Sequence, residues 1–375
     1  MKLLHTSDLH LGISLMGKSL LEHQRFLIDE LSRVVSQQEV SAVLLSGDIF
    51  DRSVVAAEVI ELYNELMTAL CMKLGVKVFL IAGNHDGAER LASCSALLEK
   101  AGLFVAGRLK DGVRHVRLEQ AGEAVNFYLL PYFNADEVRS LTGQEAADMD
   151  AALRLALEKL APQPVPGERN ILLAHLFVRG GVTAESDRSA VIGGAAVVGA
   201  DSFAGFDYVA LGHLHKPQCV AENARYSGTP LPYSFSEAGQ QKRFLLLDTA
   251  DMSVREIPVQ PPYVLREEKG TLAALKKKAL ESPSQDYLRL EVSDERIAKE
   301  DYELFRAAYP NLLLAYSTAY APGEQSGVSL EQMEQLSAEA VLEEFLQEQE
   351  GRSPKPEEVK WFLAAMERAE KGDRL

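Results

Sequence analysis

Val76-Lys77-Val78-Phe79-Leu80-Ile81-Ala82 running into Gly83-Asn84-His85-Asp86 decides how this chain reads. The run 76–82 is apolar at every position but Lys77 and has the length of a buried strand. It ends in a carbonyl oxygen on Asn84, an imidazole on His85 and a carboxylate on Asp86. Groups of that polar capacity are costly to pack at the end of a buried strand unless something cationic or reactive sits among them. The stretch therefore predicts a site.

Upstream, 2–6 reads as a short apolar strand ending in Ser7-Asp8-Leu9-His10-Leu11-Gly12. Side chains at i and i+2 of an extended segment point the same way, so Asp8 and His10 are expected to face one pocket. Residues 43–45 form a second buried strand running into Gly47-Asp48-Ile49-Phe50-Asp51-Arg52. Apolar periodicity predicts helices over 20–38, 56–74 and 89–100 between these strands. Strand and helix alternating, with polar residues at each strand's end, is the pattern of an α/β sheet whose ligands gather beyond the strand ends.

Downstream the helices thin out. Over 113–132 short strands continue the sheet, a helix follows over 144–160, and Pro162-Gln163-Pro164-Val165-Pro166 makes a surface turn. A buried strand over 170–174 ends at His175, and 180–205 is a Gly, Ala and Ser-rich loop. The strand 208–211 leads into Gly212-His213-Leu214-His215, again two candidate ligands at i and i+2. Antiparallel strands over 225–235, 243–248 and 253–259 complete a second sheet and close a first domain over 1–258. A small α/β domain is expected over 263–320, with helices over 271–280 and 299–309 between strands. A linker over 321–327 precedes a C-terminal segment, 328–375, with helices over 338–349 and 356–370, the second begun by a proline in its first turn.

The 375 residues are 47% hydrophobic and 25% charged, the composition of a globular chain with a real core. No stretch approaches the roughly 18–20 apolar residues of a membrane span, and polar residues come too early for a signal peptide, so a cytoplasmic protein without membrane attachment is expected. Cys71, Cys94 and Cys219 are odd in number and widely spaced, which speaks against disulfides and zinc-thiolate sites. The formal net charge of −16 is unlike that of a free-standing nucleic-acid binder.

Collected in order, the strand-end residues are Asp8, His10, Asp48, Asn84, His85, His175, His213 and His215, and they take five of the chain's eight histidines. Carboxylate, imidazole and amide oxygen without thiolate suit manganese, iron or zinc, with ligands enough for two ions. Asp48, central in the order of strands, is the candidate bridge. Two cations about 3.5–4 Å apart activate a bridging water and neutralise charge building on phosphate oxygens, so phosphodiester hydrolysis is the natural reaction. His85 is suited to protonate the departing alkoxide. His5, His23 and His115 fit no motif and are taken as structural or exposed.

Asp8-x-His10, Gly47-Asp48-x-x-Asp51, Gly83-Asn84-His85-Asp86, His175 and Gly212-His213-x-His215 resemble the five motifs of the calcineurin-like metallophosphoesterases, in that family's order. The wording of Thr6-Ser7-Asp8-Leu9-His10-Leu11-Gly12 and of Gly212-His213-Leu214-His215-Lys216-Pro217-Gln218 is similar to bacterial nuclease subunits of the SbcD type. The resemblance implies a metallophosphoesterase-type β-sandwich flanked by helices, with a small α/β cap domain and a C-terminal helical tail. It implies one ion held by Asp8, His10, Asp48 and His215, the other by Asp48, Asn84, His175 and His213, and manganese as the metal. It places His85 over the scissile phosphate, oriented by Asp86. It further implies DNA as substrate, with 3′-to-5′ cutting of double-stranded ends and endonucleolytic cutting of single strands and hairpins. Its partners would be a second copy of the chain and the SMC-like ATPase subunit SbcC, forming a heterotetramer that serves DNA repair, recombination and replication.

Arg52, Arg90, Arg179 and Arg188 lie near strand-end loops and are candidates for phosphate contact. Lys276-Lys277-Lys278 is either a phosphate-contacting row or a solvated helix face. Asp51 either orients neighbours in the pocket or caps the next helix. Val341, Leu342, Phe345, Leu346 and Val359, Phe362, Leu363, Met366 make two apolar faces that pack on the chain's own body or dock on a partner, which in SbcD-type proteins is the coiled-coil base of the ATPase. Two further functions remain: a small-molecule or protein phosphoesterase of the same superfamily, and a non-catalytic scaffold bridging ATPase subunits. The acidic balance predicts weak DNA binding by the isolated chain.

Overall fold

A computed structural model describes residues 1–184, 197–319, 342–343, 346 and 352–370. Two six-stranded sheets carry the architecture. The first has the spatial order Ser253–Pro258, Arg243–Asp248, Lys2–Thr6, Ala42–Ser46, Lys77–Ile81, Leu103–Ala106, with its last four strands parallel. The second runs Gln218–Ala221, Ala224–Tyr226, Tyr208–Gly212, Arg169–His175, Glu123–Leu130, Arg114–Gln120, parallel over its middle four.

Alternation along the central strands builds three layers of core. Leu3, Leu44, Phe79, Ile81, Phe127, Leu129, Ile171, Leu173, Tyr208 and Ala210 meet between the sheets. Their neighbours Leu4, Val43, Leu45, Val78 and Leu80 turn outward under the helices Leu21–Gln37 and Ala57–Met67. Tyr128, Leu130, Leu172, Val209 and Leu211 do the same under Met149–Lys159. Strands buried on both faces read as unbroken apolar runs, which is why the sequence marks them without a polar face. His5 spans the sandwich, its ring nitrogens 3.0 Å from the Tyr208 hydroxyl and 3.2 Å from the Leu211 carbonyl oxygen, so it joins the sheets.

The segment Leu265–Gly270, Leu272–Glu281, Tyr287–Val292, Lys299–Ala308, Leu312–Ser317 alternates strand and helix as expected, and closes its own core around Leu275, Leu288, Leu290 and Phe305. It packs on the main body through Leu265 and Tyr287, a hydrogen bond between His23 Nε2 and the Tyr263 carbonyl (2.8 Å), and Lys18 on Asn311. By its contacts the chain forms two compact units, Met1–Ser293 with Ile297–Tyr316, and Asp294–Arg296 with Ser317–Leu375. Within the second unit, Pro356–Glu370 is a helix with Trp361 exposed. Most of the expected helix over 338–349 lies outside the described residues. No helix among them is long and apolar enough to cross a membrane.

Several expectations need correction. Residues 113–132 form the hairpin Arg114–Gln120 and Glu123–Leu130, and join the second sheet rather than extending the first. Arg243–Asp248 and Ser253–Pro258 pair onto Lys2–Thr6 in the first sheet, because the opening strand has a free edge that takes the closing hairpin. Local alternation does not say which sheet a strand joins. Of 225–235 only Arg225 and Tyr226 are strand, the end of Ala224–Tyr226. The helix over 89–100 is broken at Cys94, whose left-handed φ of 57° ends one turn before Ser95–Leu98 begins the next. The helix over 56–74 loosens into a π-helical stretch at Thr68–Lys73. A helix at Ala135–Thr142, opened by Asn134 accepting from the Glu137 amide, was not expected.

Candidate metal centre

Every motif sits at the C-terminal edge of a central strand. Thr6 leads to Asp8 and His10, Ser46 to Asp48, and Ile81 to Asn84. His175 ends its own strand, and Gly212 leads to His213 and His215. The register sets Gly212 beside His175 and Ser46 beside Ile81, so the two sheet edges deliver the side chains to one place.

The route differs from the expected i and i+2 alternation. Asp8 (φ 53°), His10 (43°), Asp48 (49°) and His213 (104°) all lie past the strand ends in left-handed backbone. Such φ values cost a non-glycine residue on the order of 1–3 kcal/mol and persist only where surrounding structure over-determines them. Here amides and carbonyls clamp the turns: Asp8 N donates to Gly47 O (3.0 Å) and His10 N to Asp48 O (3.0 Å). Gly83 is required by approach, since a Cβ there would lie 2.1 Å from Asp48 Oδ1.

The ligand atoms fall into two groups. Asp8, His10 and His215 converge in one, with the Nε2 atoms of the two histidines 3.1 Å apart. In the other, Asn84 Oδ1 lies 3.0 Å from both His175 Nε2 and His213 Nδ1. Asp48 Oδ2 stands 3.8 Å from His10 Nε2 and 3.4 Å from His175 Nε2, within reach of both groups. Its Oδ1 accepts from the His85 amide at 2.9 Å. His175 Nδ1 lies 2.9 Å from the Ser46 carbonyl oxygen, which fixes its proton there and aims Nε2 inward. Asp8 is held by the Ser7 hydroxyl and the His213 amide.

This donor set fits divalent cations. Imidazole nitrogens, an amide oxygen and carboxylates crowd together, the Nε2 atoms of His10 and His215 face each other at 3.1 Å, and His10 Nδ1 is buried without a hydrogen-bond partner. Burial pushes the Asp48 carboxyl up, but His175, His10 and His85 outweigh it and hold it below the usual carboxylate range. Burial pushes His175 down, yet Asp48 and Asp8 raise it to about 9. Burial lowers His10 and His213 to about 3, so both rings are neutral and keep a lone pair. Burial raises Asp8 to about 6.

His85 stands beside these groups, its ring centroid 5.0 Å from that of His10. The expectation that Asp86 orients its ring is corrected: His85 Nδ1 lies 2.9 Å from the backbone oxygen of Asp51. Asp86 is buried and accepts instead from the amides of Gly83 (2.9 Å), Phe50 (2.9 Å) and Ile49 (3.2 Å), tying the Asn84 loop to the Asp48 loop. Asp51 caps no helix, since Ala56 precedes the next one. Its carboxylate lies 3.9 Å from His10 Nδ1 and 3.3 Å from Arg52.

Arg52 is exposed beyond Asp51, and Arg90 donates to the Ser53 carbonyl oxygen. The Arg179 amide joins Val198, while Arg188 lies outside the described residues. Lys276, Lys277 and Lys278 each pair with a carboxylate of their own segment, Asp301, Glu281 and Glu268, so the row is not a free basic strip. His115 sits at 2.9 Å from Asn126 Oδ1, away from the centre.

Sequence reading missed the outer supports. Tyr233 donates its hydroxyl to Leu9 O at 2.6 Å and sets its ring 5.9 Å from that of His10. Gln24 donates to His10 O at 2.7 Å. Glu237 and Lys242 are buried behind His215. None carries a motif of its own: Gln24 stands between His23 and Arg25, and Glu237 and Lys242 lie in the polar stretch 234–243, so nothing in the sequence marks them as buried.

Residues 261–350 match a family described as the type 5 capsule protein repressor C-terminal domain. The chain is 28% identical over 351 residues to the SbcD component of the SbcCD nuclease of Staphylococcus epidermidis, covering 92% of each. Among solved structures it is similar to a hypothetical protein from Thermus thermophilus (15% identity, TM-score 0.39, 70% of this chain and all of that one). It is also similar to a dimetal phosphatase from Danio rerio (14% identity, TM-score 0.36, 69% and 99%). Residues 1–217, which hold every one of the strand-end motifs, match the calcineurin-like phosphoesterases, and to that family the chain belongs.

Proposed function

We propose that the chain is a two-metal DNA phosphodiesterase, the nuclease subunit of an SbcCD-type end-processing complex. The observation that carries the reading is Asp48, one carboxylate oxygen within reach of both ligand groups and the other bound to the backbone of His85. When bound, a pair of divalent ions, manganese in the first instance, would supply an activated water and neutralise the phosphate oxygens. Asp8, His10 and His215 would hold one ion, Asn84, His175 and His213 the other, with Asp48 between. The Asp51 carbonyl occupies Nδ1 of His85 and leaves Nε2 to carry a proton to the leaving 3′ or 5′ oxygen.

The similarity over nearly the whole length to a protein named as part of the SbcCD nuclease supports DNA as substrate and an ATPase as partner. Double-stranded ends, single strands and hairpins are the substrates to try, with a second copy of the chain and SbcC as the assembly. The test is manganese-dependent cleavage of a labelled duplex and a hairpin set against hydrolysis of a nitrophenyl phosphomonoester. Strong monoester hydrolysis with intact DNA, with and without the ATPase, would replace this reading by the phosphoesterase one.

A further inference from the structure

Behind His215 lies an arrangement the ligand set does not use. Glu237, at the end of the turn Phe235–Glu237, is fully buried, and Lys242 is nearly so. Glu237 Oε1 stands 3.6 Å from His215 Nδ1 and accepts from the Ser234 hydroxyl at 3.1 Å. Its Oε2 accepts from the Thr229 hydroxyl at 2.9 Å and from the Lys242 ammonium at 2.5 Å. Lys242 also donates to Thr229 Oγ1 (2.7 Å) and to the backbone oxygen of His215 itself (3.1 Å).

A buried carboxylate and ammonium are a poor way to stabilise a core, since an apolar pair of the same volume does as well or better. Their placement has a directional result instead. One nitrogen of the His215 ring faces Glu237, and the other lies 3.1 Å from His10 Nε2, on the side of the ligand group. A carboxylate behind an imidazole fixes the tautomer and turn of the ring and makes its far nitrogen a better donor.

We propose that Glu237 is a positioning residue for His215: it takes the Nδ1 proton as hydrogen-bond acceptor and presents the Nε2 lone pair to the cation shared with Asp8, His10 and Asp48. Lys242 holds Glu237 in turn and fixes the main chain of His215, so ring and backbone are set from one point. The role requires the 3.6 Å separation to close by about half an ångström, to hydrogen-bond distance. The inference rests on the two-metal reading above.

The test is manganese titration of the full chain, with free ion read by electron paramagnetic resonance and folding by circular dichroism. His215→Asn is measured alongside. Glu237→Gln is expected to weaken one ion by 10–100-fold, the size seen when such outer partners are removed, and to spare the other. It leaves Lys242 facing an amide and can unfold the chain, so Glu237→Gln with Lys242→Met removes both charges together. Weakening of the same ion that His215→Asn loses, in either folded variant, supports the role. Wild-type affinities in the folded double variant, or equal weakening of both ions, overturn it. If His215→Asn itself leaves both ions bound as in the wild type, the metal-centre reading fails instead.

Discussion

His175 Nδ1 lies 2.9 Å from the carbonyl oxygen of Ser46, so a ring that ends one sheet is steered by the last residue of a strand in the other. Gly212 stands against the same pair: a Cβ there would lie 1.9 Å from the Ser46 oxygen and 2.9 Å from that nitrogen. Gly212→Ala must therefore part the sheets where the ligands meet. A loss on the order of 3 kcal/mol is expected in urea denaturation, with manganese affinity falling alongside. Unchanged stability would mean that the edge gives way locally.

Asp86 and Asp51 should separate cleanly. Asp86 accepts from three buried amides, and burial, then the charge of Asp48, raises its carboxyl to about 6. Asp86→Asn turns an acceptor toward N–H groups with a donor and is expected to destabilise by roughly 2–3 kcal/mol. Asp51 serves His85 through its backbone, which Asp51→Ala keeps, so that variant should stay within about 1 kcal/mol of wild type. Chemical denaturation of both variants reads the difference.

His85→Gln should leave ion binding as it was, because His85 is not part of either ligand group joined by Asp48. Cleavage of a labelled duplex should fall by about 10²–10⁴-fold, the usual reach of a general acid. Wild-type rates in this variant would remove His85 from the chemistry.

The cysteines give a pH-dependent readout away from the centre. Burial pushes the Cys71 thiol up to about 11 from its ordinary 9, whereas Cys94 and Cys219 are exposed. Between those values the unfolded chain gives up a proton that the fold keeps. The contribution to stability is present below pH 9 and is lost as pH rises through 11. At pH 8, iodoacetamide should modify the exposed Cys94 and Cys219 first and the buried Cys71 last, its thiolate fraction being about 100-fold below that of a thiol at the ordinary 9. Peptide mass mapping of a timed reaction checks the order.

Much of this centre was legible because buried parallel strands announce themselves. Lys77–Ile81, Ala42–Ser46 and Tyr208–Gly212 are apolar on both faces, so the first polar residues after them stand out. What joins those ends was not legible. Asp8 and His10 share a pocket by left-handed turns clamped to Gly47 and Asp48, contacts between segments some forty residues apart. Strand alternation named residues that the fold does bring together, but by the wrong geometry. The role of Asp86, taken over with the family resemblance, was misplaced because its carboxylate oxygens are occupied by the amides of Gly83, Ile49 and Phe50. The assignment of Arg243–Asp248 to a sheet depended on which strand had an open edge, a property of the assembled fold.

The left-handed residues at Asp8, His10, Asp48 and His213 bear on the order of events in this protein's life. Turns of that kind are held by the strands that flank them and by their mutual amide clamps, so the cradle is expected to form on folding with or without a cation. Chelation should then strip the centre without melting it, and the emptied chain should reload at a rate set by ion encounter rather than by refolding.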